Sequence, residues 1–221
     1  MQPCAQSHHS LCYTLIMDEN AQMVEYAAEL RTWLDDADPK VRVNAIRELV
    51  ALGQVDWNDF AHWMMDEDKA VRDAAIDQAG YCCSPVDRMR LAELLLAVIE
   101  RYADFYAGNE LEMLLHTDDT LLDAVWVKLE RLLGKNDPEI NSLLLCCLFE
   151  HIIPRKGWGP DDPHIKSWIT GTSHTRQAML LAIANREGLQ TKRFREIVQA
   201  LAHSTIPAVA NEAGAMLREK R

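Results

Sequence analysis

Glycine and proline are scarce in this chain, 9 and 8 among 221 residues. A turn-rich β fold needs more of both, whereas frequent Ala, Leu, Glu and Met favour helices. No segment alternates apolar and polar residues with period two, so no strand is predicted. No apolar run approaches the roughly 18 residues of a membrane span. The first 16 residues lack the basic start and long apolar stretch of a signal peptide. Positive charge is short as well: 23 Lys and Arg stand against 34 Asp and Glu, a net charge of −11. That balance opposes a phosphate backbone, which clustered Lys and Arg normally grip. Nucleic acid is therefore a poor partner, and a basic protein is electrostatically easier.

Cysteine is present but not in a disulfide pattern. Cys82-Cys83 and Cys146-Cys147 are adjacent pairs in helical stretches, where neighbours point apart, and Cys4 and Cys12 lie near the start. Reduced thiols of a cytoplasmic protein explain them better than a bridged framework. Residues 1–16 also lack helical periodicity, while the segment from Met17 reads like a natural beginning. They are expected to be a disordered lead or a non-native start, followed by one domain over 17–221.

What the chain does have is an internal repeat, the feature to seek before assigning any fold. Asp38-Pro39-Lys40-Val41-Arg42 leads into Ala45, Ile46, Leu49, Leu52 and Gly53. A shift of 30 superposes Asp38 on Asp68, Val41 on Val71, Arg42 on Arg72 and Ala45 on Ala75. Echoes begin at Asp137-Pro138-Glu139-Ile140 and at Pro207-Ala208-Val209-Ala210. Asp is an N-cap, and Pro suits the first helical position because it has no N–H to lose. Val41, Ala45, Leu49 and Leu52 draw one apolar stripe, and Gly53 ends the helix in a left-handed conformation.

Helices are expected near 20–35, 39–52, 56–65, 68–82, 87–105, 109–116, 119–133, 137–152, 163–170, 173–187, 191–203 and 206–219. Asp56 with Asp59, and Asn109 with Glu112, read as capping boxes. Twelve helices make about six antiparallel hairpins, an all-α solenoid in which each hairpin is stabilised by its neighbours. Residues 84–118 fit the register worst, so the centre is expected to be irregular.

The D-P-x-V-R-x-x-A-I-x-x-L-x-x-L-G run at 38–53 and the D-x-A-V-R-x-A-A-I stretch at 68–76 resemble HEAT repeats. They are most similar to the short bacterial type found in phycobilin-lyase-like proteins. The resemblance implies an α-solenoid and a ladder between hairpins built from Asp38, Arg42, Asp68 and Arg72. Asn141 and Ala210 stand in place of the Arg in the later copies, so the resemblance implies the ladder only for the first two. HEAT-like solenoids usually serve as scaffolds or binding modules, and fold alone licenses nothing narrower.

Catalytic and cofactor chemistry finds no foothold. HEAT-like hydroxylases hold iron with His-Glu dipeptides, and this chain has only the reversed Glu150-His151. Cys4, His8, His9 and Cys12 lack the spacing of a structural zinc site. His62, His116, His151, His164, His174 and His203 have no nucleophile at motif spacing, and no Gly-rich phosphate loop appears. No cofactor is expected. A HEAT-like DNA glycosylase, with Trp57, Trp63, Trp126, Trp158 or Trp168 around a base, or a lyase-like relative, stands as the enzymatic alternative. Its basic DNA-binding face is missing.

Two features point to a partner surface. Asp35, Asp36 and Asp38, then Asp66, Glu67 and Asp68, then Asp118 and Asp119 fall at turns leading into helices. They read either as an acidic stripe for a basic protein or as caps and solvated turns. Trp158, flanked by glycines in the break at 154–163, is either a binding residue or a plug against the solenoid. Arg47, Glu48, Asp77, Gln78 and Tyr81 lie off the apolar stripe as candidate contacts. The expectation is a non-enzymatic interaction module, one version being an acidic immunity-type partner of a bacterial effector.

Overall fold

The computed structural model describes residues 21–219. The proposed lead at 1–16 and the Cys4–Cys12 cluster lie outside the described residues. Among the described residues every regular element is helical and none is a strand, as the composition and periodicity imply. No helix among them is long and apolar enough to cross a membrane. The chain divides into two compact units, one ending at Pro85 and the other beginning at Val86.

The first unit holds α1 (21–33), α2 (Pro39–Ala51), α3 (Trp57–Trp63) and α4 (Lys69–Cys82). Asp38 caps α2 and Asp68 caps α4, each accepting the N–H two residues on, at 2.9 and 2.8 Å. Gly53 closes α2 at φ +65°, its N–H donating to Val50 O and that of Gln54 to Leu49 O. This pair of bonds satisfies carbonyls that the helix end would otherwise leave open. Ala45, Ile46 and Leu49 are buried against α4, while Val41 and Leu52 are only half-buried, so the expected stripe is narrower at its ends. Ala45 and Ala75 lie fully inside and let α2 and α4 approach closely. Phe60 packs between Trp57 and Trp63 at centroid distances of 5.5 and 5.7 Å, filling the end of this core.

The second unit starts with α5 (Arg88–Tyr102), α6 (Phe105–Thr117) and α7 (Asp119–Gly134). One continuous helix follows: α8 (Pro138–Leu143), a π-helical stretch Leu144–Phe149, and α9 (Glu150–Lys156). Then come α10 (Pro163–Thr170), α11 (His174–Glu187), α12 (Lys192–Leu201) and α13 (Pro207–Glu219). Taking α8, the π stretch and α9 as one helix, every extensive contact in either unit joins helices one or two apart in the chain.

Two boundaries differ from the sequence expectation. The break after α5 falls at Ala103 and Asp104, not at 106–108, and Asn109 and Glu112 lie inside α6 instead of capping it. Asp104 is the true cap: it is buried and its carboxylate accepts Tyr106 N–H at 2.9 Å and Ala107 N–H at 3.3 Å. Ala103 reverses the chain at φ 48°. The second difference is Pro154, read as a helix stop but lying inside α9, which runs to Lys156. Proline cannot donate to the Glu150 carbonyl, and its own carbonyl is taken by Gly157 N–H and by Arg193 Nη2 at 2.9 Å.

The π stretch meets α6 at Gly108. A Cβ there would lie 2.9 Å from Leu143 Cδ2 and 3.2 Å from Cys147 Cβ, so a side chain at 108 would force the Leu143 side chain to shift.

Candidate functional site

The acidic turns of the first unit share one construction. In the turn before α2, the Asp36 carboxylate accepts Asp38 N–H at 2.8 Å, and Arg42 Nη1 donates back to the Asp36 carbonyl at 2.7 Å. In the turn before α4, Asp66 accepts Asp68 N–H at 2.8 Å, and Arg72 Nη1 donates to the Asp66 and Glu67 carbonyls at 2.9 Å each. Arg72 is 7% exposed, so its guanidinium is spent on backbone and not on solvent.

Arg42 does more. Its Nε and Nη2 grip Asp66 at 3.2 and 3.0 Å, tying α2 to the turn before α4 through a two-pronged ion pair. The ladder expected through Asp38, Arg42, Asp68 and Arg72 is thus built on different carboxylates. Asp38 and Asp68 are committed to N-caps, and Asp66 receives the arginine. The signal was present in the sequence, because Asp36-x-Asp38 recurs as Asp66-x-Asp68 at the same shift of 30. A second tie, between α1 and α3, escaped sequence reasoning: Arg31 bonds both Asp59 oxygens at 3.1 and 3.3 Å and the Gln54 carbonyl at 2.8 Å. Burial pushes the Asp59 carboxyl up, but Arg31, the Asp56 N–H and nearby His62 outweigh it and hold Asp59 below its usual range.

Of the proposed acidic stripe, therefore, Asp36, Asp38, Asp66 and Asp68 have internal roles, while Asp35 and Glu67 are exposed at the same two turns. Asp118 belongs to the second unit, caps α7 through Thr120 N–H at 3.0 Å, and lies 3.5 Å from Arg88. The Thr120 hydroxyl and N–H, with Arg88, hold its carboxyl below the usual range. Asp119 opens α7. Arg47 and Glu48 are exposed on α2, Asp77 and Gln78 half-buried at the equivalent places on α4, and Tyr81 stands out at its end.

Trp158 does not project freely. Its ring stacks on His164 at 4.7 Å and meets Trp126 edge-on at 5.2 Å. Trp126 also contacts His164 at 4.5 Å and Trp168 at 5.8 Å, and Trp168 meets Phe149 at 5.0 Å. Trp158 is half-buried against these rings. Glu130 anchors this cluster: Oε1 accepts Trp168 Nε1–H at 2.5 Å and Oε2 accepts Arg176 Nη2–H at 3.0 Å. Asp162 caps α10 through His164 N–H and bonds His164 Nδ1 at 3.1 Å. Sequence reasoning missed Glu130, because its partners lie 38 and 46 residues further on.

Neither cysteine pair is uniformly buried. Cys147 is inside, but Cys82 and Cys146 are exposed and Cys83 is half-buried, as adjacent helical positions require. Burial first, then Cys146 and Glu112, pushes the Cys147 thiol up to about 11, so it stays protonated and unreactive. Among the described residues no three His, Cys, Asp or Glu side chains gather to hold a metal ion.

Charge is unevenly placed. Residues 1–85 carry 15 Asp and Glu against 6 Lys and Arg, a net −9 of the total −11. From Pro163 onward 9 Lys and Arg face 4 Asp and Glu, a net +5. Comparison with protein-family models, curated proteins and solved structures finds no match.

Proposed function

We propose that this chain is a non-enzymatic binding module, a solenoid of HEAT-like repeats whose acidic first unit receives a basic protein. The reading rests on the charge placed there, −9 over residues 1–85. Asp35 and Glu67 remain exposed after the capping and ladder carboxylates are committed. A field of one sign over a rigid surface raises the encounter rate of an oppositely charged partner and selects against others. The repeat reading is supported by the turn built twice at a spacing of 30 and by packing between helices one or two apart. The four cysteines among the described residues are free thiols, which suits a reducing, cytoplasmic setting. An immunity-type neutraliser of a basic effector is one form of this function.

The test is affinity capture from the native host with the wild-type chain and with Asp35→Lys/Glu67→Lys. Both substitutions lie outside the ladder, so the fold should persist. A basic protein recovered reproducibly with the wild type and lost with the variant supports the proposal. A partner held equally by both, or none, sinks it. DNA binding that survives high salt would instead revive the glycosylase-like alternative.

A further inference from the structure

One position recurs at the start of several helices. Arg42 N–H bonds Asp38 O, Arg72 N–H bonds Asp68 O, Gln177 N–H bonds Ser173 O and Ala210 N–H bonds Ile206 O, each closing the first turn of its helix. Arg42 and Arg72 also use their side chains to hold the carbonyl six residues back, that of Asp36 at 2.7 Å and of Asp66 at 2.9 Å. Gln177 does the same without charge. Its Nε2 donates to Gly171 O, again six residues back, at 2.8 Å, and to Ile169 O at 2.9 Å.

The forward half of the Arg42 contact is matched as well. Arg42 reaches Asp66, and Asp66 accepts the N–H two residues on, just before α4. Gln177 Oε1 reaches Ser204, accepting its hydroxyl at 2.6 Å, and Ser204 Oγ accepts the N–H two residues on, that of Ile206 at 3.0 Å, just before α13. Two carbonyls on one side and a hydroxyl on the other fix the orientation of the Gln177 amide. The side chain is 1% exposed, and an amide is tolerated there because these bonds replace its water. The same place in α6 is Gly108, which has no side chain, and in α8 it is Asn141, whose Oδ1 is buried without a partner.

We propose that Gln177 is the rung of a further repeat, an uncharged counterpart of Arg42, with Ser204 in the place of Asp66. Helix α11 then stands to α13 as α2 stands to α4, with Ser173 and Ile206 33 residues apart where Asp38 and Asp68 are 30 apart. Neither Gln nor Ser matches the Asp–Arg pattern, and the longer spacing breaks its period, which hid the rung in the sequence. Gln177 is thus a positioning residue that sets where α13 begins against α11. The inference deepens the repeat reading above, and its failure would leave the acidic first unit and its proposed partner untouched.

The experiment is peptide-resolved hydrogen exchange on the full chain, comparing wild type with Gln177→Ala, Gln177→Arg, Gln177→Arg/Ser204→Asp and the milder Ser204→Ala. In Gln177→Ala, protection should fall about tenfold or more in the first turns of both α11 and α13, while α2 and α4 keep theirs. Gln177→Arg alone should leave the start of α13 loose, because a guanidinium finds no carboxylate at Ser204. Adding Ser204→Asp transplants the Arg42–Asp66 pair and should restore protection there. Ser204→Ala, which spares the Gly171 turn, should loosen the start of α13 alone and keeps the test decisive if Gln177→Ala does not fold. A loss in Gln177→Ala confined to α11 overturns the proposal. So does a double variant no better protected at α13 than Gln177→Arg, or a Ser204→Ala chain with α13 unchanged.

Discussion

The two units use the same residue types in opposite directions. In the first, the base comes earlier in the chain and the acid later: Arg31 reaches Asp59 and Arg42 reaches Asp66. In the second, most ties run the other way. Glu93 receives Lys128, Glu100 receives Arg131 and Lys135, Glu112 receives Arg155, Glu130 receives Arg176, and Glu150 receives Arg186. The difference follows from where the acids sit. In the first unit Asp66 occupies a turn, where it braces the Asp68 N–H and accepts Arg42 at once, and Asp59 lies in the first turn of α3, where it accepts the Asp56 N–H and Arg31. In the second they lie on helix surfaces and are consumed by bases on the next helices. That arrangement leaves the first unit with surplus negative charge and the second nearly neutral, at −2 over residues 86–221.

The comparison breaks most sharply at Trp168, which is 1% exposed and bonded to Glu130. Trp168→Ala should cost about 3–5 kcal/mol, the usual range for emptying an aromatic core site. It removes the ring that touches both Trp126 and Phe149 and leaves Glu130 with Arg176 alone. Hydrogen exchange should show protection lost in α7 and α10 while α2 and α4 keep theirs. Equal loss in α2 and α4 would show that the two units do not behave as separate bodies.

Next in size is Arg42→Ala, expected to cost about 1–3 kcal/mol in urea unfolding by stripping a part-buried Asp66 of its partner. Arg42→Lys should restore little, because an ammonium cannot grip both Asp66 oxygens and the Asp36 carbonyl together. Full rescue by lysine would mean that charge, and not the forked geometry, holds α2 to that turn.

These two sites mark how far the sequence could be read. Asp38, Asp68 and Gly53 were legible because capping and helix termination act within a few residues. For the carboxylate that Arg42 grips, the recurring Asp-x-Asp narrowed the choice to Asp66 and Asp68, and choosing between them depends on how α2 settles on α4. The break at Ala103 was hidden by Phe105 and Tyr106, which prolong the apolar pattern of α5. Pro154 misled because a proline reads as a helix stop, whereas here α9 runs two residues further and the Pro154 carbonyl is held by Gly157 N–H and by Arg193, 39 residues away. The aromatic cluster gathers Trp126, Phe149, Trp158, His164 and Trp168 from four separate segments, and no local period announces it. Local chemistry was thus readable where it closes on itself, and the partner-binding question turned on long-range pairings that periodicity does not carry.

A smaller and cleaner effect is expected at Gly53. Its φ of +65° is costly for any residue with a side chain, yet a Cβ would meet nothing within 4 Å. Gly53→Ala should therefore cost about 1 kcal/mol, all of it conformational. Gly108→Ala in the second unit is the contrasting case. Its backbone φ is not left-handed, but the added methyl would collide with Leu143 Cδ2, so its cost of about 1–3 kcal/mol comes from packing. Thermal melts should separate the two, because trimming the neighbour in Leu143→Ala should relieve the Gly108 variant and leave the Gly53 variant unchanged.

The smallest effect concerns acid. Asp59 is held below its ordinary value near 4 by Arg31 and the Asp56 N–H, despite the upward push of burial. A group whose folded pKa is depressed stabilises the fold above its unfolded value and loses that contribution as pH falls through the folded value. The Arg31–Asp59 tie should therefore be fully present at neutral pH and fade below about pH 4. Arg31 is 46% exposed, so solvent screening limits the contribution to a few tenths of a kcal/mol up to about 1. Asp59→Asn should lower stability at pH 7 and flatten the acid limb of a stability–pH curve in proportion. Glu100, lowered chiefly by its bond to Lys135, is the matching tie in the second unit and should respond in the same sense. If Asp59→Asn leaves the acid limb unchanged while Glu100→Gln flattens it, acid sensitivity resides in the second unit, and the Arg31–Asp59 tie matters for shape and not for titratable stability.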